Sequence, residues 1–239
     1  MNRNLPDPRL HRDWLRPHSI EWYGQLGRLA GQFAYPWNST LEEPNGETLF
    51  ASEIEQVVRD KNVLDIGCGH GAFTMSWGPL VKQITGLDVT SDFIHSGDPP
   101  CPANVRFVTA NTKAGLPFER EEFDVAYNRR GPTSAYLDVK RVVKEGGMIL
   151  GLHPGDKLSV ELSEWFPGLF EPLPPGTPVL ENLLQGLEQG GLGHAELRNV
   201  SSIEYLHEPL DVIRMRCFGQ TTNKGLPITF DRYYVKGTA

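Results

Sequence analysis

Residues 63–74 read Val63-Leu64-Asp65-Ile66-Gly67-Cys68-Gly69-His70-Gly71-Ala72-Phe73-Thr74, and this stretch decides the fold. A short apolar run carries Asp65 and then gives way to glycine at every second position, Gly67, Gly69 and Gly71. Glycine adopts the left-handed backbone of a tight turn at little cost and leaves no side chain between the turn and a bound molecule. The residues that follow suit a helix, so the segment reads as strand, turn, helix. Its acidic-x-Gly-x-Gly-x-Gly spacing differs from the Gly-x-Gly-x-x-Gly of dinucleotide-binding turns.

Outward from this turn, residues 83–87 form a second strand-like run that ends at Asp88. An acidic residue roughly 20 positions past a glycine turn is where a ribose partner belongs in doubly wound folds. Residues 105–109 make a third strand, followed by Ala110-Asn111-Thr112 and Leu116-Pro117-Phe118. Residues 123–128 make a fourth, and residues 142–150 read as a helix end, the turn Glu145-Gly146-Gly147 and a fifth strand. Over residues 60–155 these landmarks resemble, in order, the class I S-adenosylmethionine (SAM) dependent methyltransferases. The alternation of strands and helices predicts a parallel sheet covered on both faces. The resemblance implies a Rossmann-like α/β fold with a seven-stranded, mostly parallel sheet and an antiparallel last strand.

The resemblance also implies roles. Gly67, Cys68, Gly69 and Gly71 cradle the methionine and ribose part of SAM, and Asp65 orders that loop and reaches the amino group. Asp88 binds the ribose hydroxyls, with Val89 beside it. Asn111 stands where Asp is frequent and pairs with the adenine amine through its amide oxygen. Thr112 lies next to it, and Asn128 lines the floor near the sulfonium. The sulfonium already activates the methyl group, so the protein mainly orients the acceptor, an effect worth about 7–11 kcal/mol. A base is needed only where the acceptor must lose a proton.

Substrate contacts are expected beyond the strand ends. Arg129 and Arg130 follow the fourth strand and suit a carboxylate or phosphate. A solvated loop, or ion pairs to Glu121 or Glu122, is the competing reading of the two arginines. His153 follows the fifth strand and is the candidate catalytic base. His70 reads as loop packing, and Tyr35 and Trp37 as aromatic packing that could close over the cofactor.

The whole chain, 1–239, reads as one methyltransferase domain. Residues 1–60 form an N-terminal helical cap, with helices over 20–30 (capped by Ser19) and from Asn45 or Thr48 to residue 60. Residues 156–190 form a substrate-covering insertion: a short helix and loop, then a helix over 180–189. A helix over 90–96 is cut short by Pro99, Pro100 and Pro102, and another spans 135–144, capped by Thr133 or Ser134. Residues 195–206, 209–218 and 228–235 read as strand, helix and strand, the strands forming an antiparallel hairpin at the sheet edge.

The chain has 239 residues, 39% hydrophobic and 22% charged, an ordinary globular composition. Its formal net charge of −7 argues against a nucleic-acid footprint, which shows as a basic domain or stripe. Cys68, Cys101 and Cys217 lie far apart with no Cys-x-x-Cys, so no metal site is expected. Their odd number and the lack of a signal-peptide pattern predict a reducing, cytoplasmic location. No apolar run approaches the length of a membrane span, and a monomer or homodimer is expected. The favoured function is methyl transfer from SAM to a small-molecule acceptor, for which an anionic group is the expectation from Arg129 and Arg130. One alternative is an RNA base methyltransferase, its footprint formed by Arg3, Arg9, Arg12, Arg16 and Arg28 with the two strand-four arginines. A loose likeness to the bacterial 23S ribosomal RNA guanine-N1 methyltransferases supports it, although their cysteine-rich zinc module is missing. The other is a SAM-binding regulatory protein without turnover.

Overall fold

The computed structural model describes residue 9, residues 12–91 and residues 101–220. The expected strand over 228–235 and most of the expected helix over 90–96 lie outside the described residues. Five strands build the central sheet: β2 (Asn62–Ile66), β3 (Gln83–Asp88), β4 (Val105–Thr109), β5 (Phe123–Arg129) and β6 (Val143–Leu152). All pair in parallel, in the order β4-β3-β2-β5-β6. The chain runs outward from β2 to β4 and then returns to the other side of β2 with β5. Loops leaving β2 and β5 therefore diverge at the C-terminal sheet edge, where open α/β sheets bind ligands.

Strand alternation sorts the core onto two faces. Leu64, Ile66 and Ala126 pack with Tyr136, Val139, Val142 and Leu187 on one face. Val63, Val125 and Tyr127 pack on the other with Phe50 and Ile54 of α2 (Gly46–Val57) and with Trp77. Asn45 caps α2 through a reciprocal pair with Thr48, and the helix ends at Val57, before Asp60 turns left-handed at φ 58°. A third cluster is built on Trp22 and Leu26 of α1 (Ile20–Ala30), which Ser19 caps as expected.

Among the described residues the main sheet has five strands, and the expected count of seven is not confirmed. Two other readings are corrected by the structure. Of residues 195–206, only β7 (Glu204–Leu206) is extended, and it pairs antiparallel with β1 (Ser39–Leu41) in a separate ribbon. The apolar residues Leu197, Val200 and Ile203 recur every third position, so no face of a strand would be apolar. The helix expected over 135–144 is a 3-10 turn over Thr133–Leu137 followed by α4 (Val139–Val142). Ser134 bonds Thr112 at 2.7 Å instead of capping. Val143 is already extended and pairs with Phe123, and the Gly146 turn is a bulge before Met148 rejoins Val125. After β6 come α5 (Val160–Trp165), α6 (Pro178–Gln189) and, beyond β7, α7 (Pro209–Arg216).

Candidate active site

The glycine turn links β2 to α3 (Ala72–Ser76) and is stitched to β3: the Gly67 and Cys68 amides both donate to the Leu87 carbonyl, at 2.8 and 3.0 Å. Gly67 has φ 77°, and a Cβ there would lie 2.6 Å from the Gly131 Cα. At Gly71, also at φ 77°, a Cβ would lie 2.4 Å from the Phe107 ring. No side chain fits at either place. The turn is thus wedged between the loop that leaves β5 and the ring that β4 supplies.

Asp65 lies behind this turn, 1% exposed. One of its oxygens accepts from Thr74 at 2.7 Å and from Tyr127 at 2.8 Å, which ties α3 and β5 together beneath the loop. Burial pushes its carboxyl up to about 6, against the two hydroxyl bonds that pull it down. Asp88 sits at the tip of β3 and closes on the turn. Its carboxylate accepts from the Gly69 amide at 2.9 Å and the Thr90 amide at 3.3 Å. Burial raises its pKa, and the amides of Gly69, Thr90 and Val89 oppose the rise. An ionised carboxylate has about four acceptor directions, so the amides leave acceptor capacity for a ribose hydroxyl. The Cys68 thiol packs toward Gly86 and is pushed well up by burial, which suits packing rather than reactivity. His70 does more than pack: its Nδ1 accepts from the Phe33 amide at 3.2 Å, joining the turn to the segment after α1.

The remaining expected residues line the same edge. Asn111 is exposed at the tip of β4 and accepts from the Lys113 amide at 3.0 Å. Thr112 is buried. Asn128 is 1% exposed, and both ends of its amide serve its own loop, accepting from the Gly131 amide at 2.8 Å and donating to the Pro132 carbonyl at 3.0 Å. In this arrangement its polar atoms stay inside the loop rather than facing the floor.

Arg129 and Arg130 converge on Glu47, at the start of α2, a residue with no earlier signal in the sequence. Arg129 Nε donates to Glu47 Oε2 at 2.6 Å, and Arg130 Nε lies 3.2 Å from Oε1. Arg130 Nη1 also donates to the Tyr35 hydroxyl at 2.9 Å. Glu122 pairs with Arg106 instead. His153 Nε2 lies 2.7 Å from the Tyr136 hydroxyl, and burial lowers the imidazole to about 4. Burial also raises the phenol, so Tyr136 keeps its proton, and the neutral hydroxyl can donate to Nε2 or accept from it according to the ring tautomer. A Cβ on Gly151 would meet the Tyr136 hydroxyl at 2.1 Å, so this bond needs glycine there. Tyr136 escaped the sequence reading because nothing local links it to residue 153.

Of the arginines that would form an RNA footprint, Arg3 lies outside the described residues and Arg9 pairs with Glu171. Arg12 is 3.7 Å from Asp13. Among the described residues no cluster of His, Cys, Asp and Glu could hold a metal ion, and no helix is long and apolar enough to cross a membrane.

Residues 63–147 match the family model of a methyltransferase domain. Over 101 residues the chain is 30% identical to a Bacillus subtilis protein named an uncharacterized methyltransferase, YcgJ, covering 38% of this chain and 40% of that protein. It is 27% identical over 130 residues to a malonyl-[acyl-carrier protein] O-methyltransferase of Pseudescherichia vulneris, covering 52% and 49%. It is 27% identical over 105 residues to a ubiquinone biosynthesis O-methyltransferase of Hydrogenovibrio crunogenus, covering 39% and 43%. The chain thus spans under half the length of each of these relatives.

Proposed function

We propose that the chain, whose residues 63–147 match a methyltransferase domain, is a class I SAM-dependent methyltransferase that methylates an oxygen of a small, anionic acceptor. The observation that carries the reading is the closure of the glycine turn onto Asp88 through the Gly69 amide. A side-chain-free cradle ends there on a carboxylate with acceptor directions to spare, which fits the ribose of SAM. SAM supplies an activated methyl group on its sulfonium. Gly67, Gly69 and Gly71 admit the cofactor to the backbone, Asp88 holds its ribose, and Asn111 and Thr112 stand at the adenine side. Asp65, Cys68 and Asn128 shape the loops from behind. Two relatives named as O-methyltransferases support an oxygen acceptor, and the one named for ubiquinone biosynthesis supports a small molecule.

His153 has a different role from the base first expected. An imidazole lowered to about 4 is neutral at pH 7 and a weak base. In the tautomer in which Tyr136 donates to Nε2, the ring proton is on Nδ1 and offers the acceptor a hydrogen-bond donor. The acceptor sits between this ring and the Arg129–Arg130 pair.

Isothermal calorimetry tests the cofactor site. The wild type is expected to bind SAM and S-adenosylhomocysteine at one site per chain. Asp88→Ala removes two charge-assisted hydrogen bonds of about 1.5–3 kcal/mol each, so affinity falls by at least about tenfold. Equal affinities in the two proteins would remove the ribose assignment. Binding to RNA is expected to be weak at physiological salt; tight, salt-sensitive binding to transfer RNA would replace the small-molecule reading.

A further inference from the structure

We propose that Glu47 sets the charge of the acceptor pocket: it joins Arg129 and Arg130 into a pair with one net positive charge, which selects a carboxylate monoanion over a phosphate dianion. The inference rests on the reading that the acceptor binds beyond the ends of β5 and β6.

Successive residues of a strand point to opposite faces, so Arg129 and Arg130 would ordinarily diverge. They do not, because Arg130 adopts the left-handed conformation, φ 59°. This backbone is unfavourable for a side chain as large as arginine and persists only where its surroundings impose it. Its effect is to bring the second guanidinium round to the carboxylate that already holds the first. The amide of Arg130, anchored at 2.7 Å on the Leu152 carbonyl, fixes the turn.

Both guanidinium groups are also set on aromatic rings. Arg129 lies 4.3 Å from the centre of the Phe73 ring, and Arg130 lies 5.5 Å from that of Tyr35. Tyr35 in turn stacks on Trp37, with ring centres 4.3 Å apart. A guanidinium carries five N–H donors in a rigid fork. Glu47 engages the Nε edge of each, and Tyr35 takes Nη1 of Arg130. Arg129 Nη1 and Nη2 and Arg130 Nη2 have no hydrogen-bond partner among the described residues. The two side chains are 29% and 34% exposed, so these donors reach solvent. Glu47 is the carboxylate in ion-pair contact with both arginines, while Asp65, buried behind the glycine turn, acts on Arg129 only from beyond contact distance; within the contact set two positive charges against one negative leave room for one carboxylate. A phosphate dianion would bring excess negative charge beside Glu47.

The shared chemistry of a carboxylate could come from the acceptor or from the amino-acid end of the cofactor, and the test separates them. In the labelled 239-residue chain, the Nε–H signals of Arg129 and Arg130 are followed by NMR during titration with benzoate and with inorganic phosphate. Wild type is expected to show saturable shifts of both signals and to favour benzoate by about fivefold or more; Glu47→Gln, which leaves two unneutralised charges, is expected to move the preference toward phosphate by at least about fivefold. Thermal melts establish that the variant is folded. No saturable benzoate shift in wild type, or an unchanged preference in Glu47→Gln, overturns the proposal. So does a loss of S-adenosylhomocysteine affinity in Glu47→Gln with methylthioadenosine affinity retained, because the pair would then hold the cofactor's carboxylate. Failure of wild type to bind S-adenosylhomocysteine would instead remove the methyltransferase reading, and the anion titration would still stand or fall by itself.

Discussion

Asp65, buried, and His153, half-buried, are titratable groups with opposite signs of proton linkage. Asp65 is raised from 3.8 to about 6. Between these values the folded chain keeps a proton that the unfolded chain has released, so stability falls as pH rises through the window. His153 is lowered from 6.5 to about 4. There the unfolded chain keeps the proton, so stability rises with pH and is lost again as pH falls toward 4. Each effect amounts to about 3 kcal/mol, and in wild type they largely cancel. Urea unfolding at steps from pH 4 to 7 should separate them. Relative to wild type, Asp65→Asn is expected to gain about 3 kcal/mol across this range and His153→Gln to lose about as much. Parallel profiles in all three proteins would contradict both assignments. The sequence marks these residues by place, one before the glycine turn and one after a strand. It does not show their surroundings, because Tyr127, Thr74 and Tyr136 reach them only through the fold.

Among the elements, the glycine turn was the most legible and also the least tolerant. Gly71→Ala would place a Cβ in the Phe107 ring and hold alanine at positive φ. The expected loss is at least about 2 kcal/mol, combining overpacking with backbone strain. Pairing it with Phe107→Leu should recover the packing part and leave the strain; a thermal melt that shows no recovery would mean the ring is not the obstacle. The strands from β2 to β5 could be read from apolar runs bounded by glycine, proline and acidic residues, since each is decided locally. The helix over 135–144 could not. Its helical spacing is real, but Val143 gains more by extending against Phe123, a partner twenty residues away. The capping candidate Ser134 likewise found Thr112 first. Glu47 sits in an ordinary helix start, so nothing in its neighbourhood points to the two arginines more than eighty residues on.

At the scale of the whole molecule, the chain folds back on itself over the glycine turn. The Trp22 indole donates to the Phe218 carbonyl at 3.0 Å, and Gln25 to that of Gly219 at 2.7 Å. Gln220 bonds the backbone of Leu15 in both directions, at 3.1 and 2.8 Å. Phe33 packs against this cluster and reaches His70. Residues 15–25 are thus tied to residues 218–220, a link of about 200 positions that no local pattern carries. Trp22→Ala should cost about 3–5 kcal/mol, the range for truncating a buried large aromatic. If cap and sheet unfold as one unit, near-ultraviolet and far-ultraviolet circular dichroism will melt together in the variant. Separate melts would make the cap an independent unit.

Gly67 and Gly131 meet with no side chain between them, which has a consequence for how the two loops breathe. Neither can swing out along its own path, since each forms the wall against which the other rests. The Gly67 and Cys68 amides on Leu87, and the Gly131 amide on Asn128, should therefore exchange with deuterium through one shared opening. Their protection factors should agree and move together with denaturant. A molecule resting on the first loop should slow exchange at Gly131, which it does not touch, so occupancy on one side of the crevice would be felt on the other.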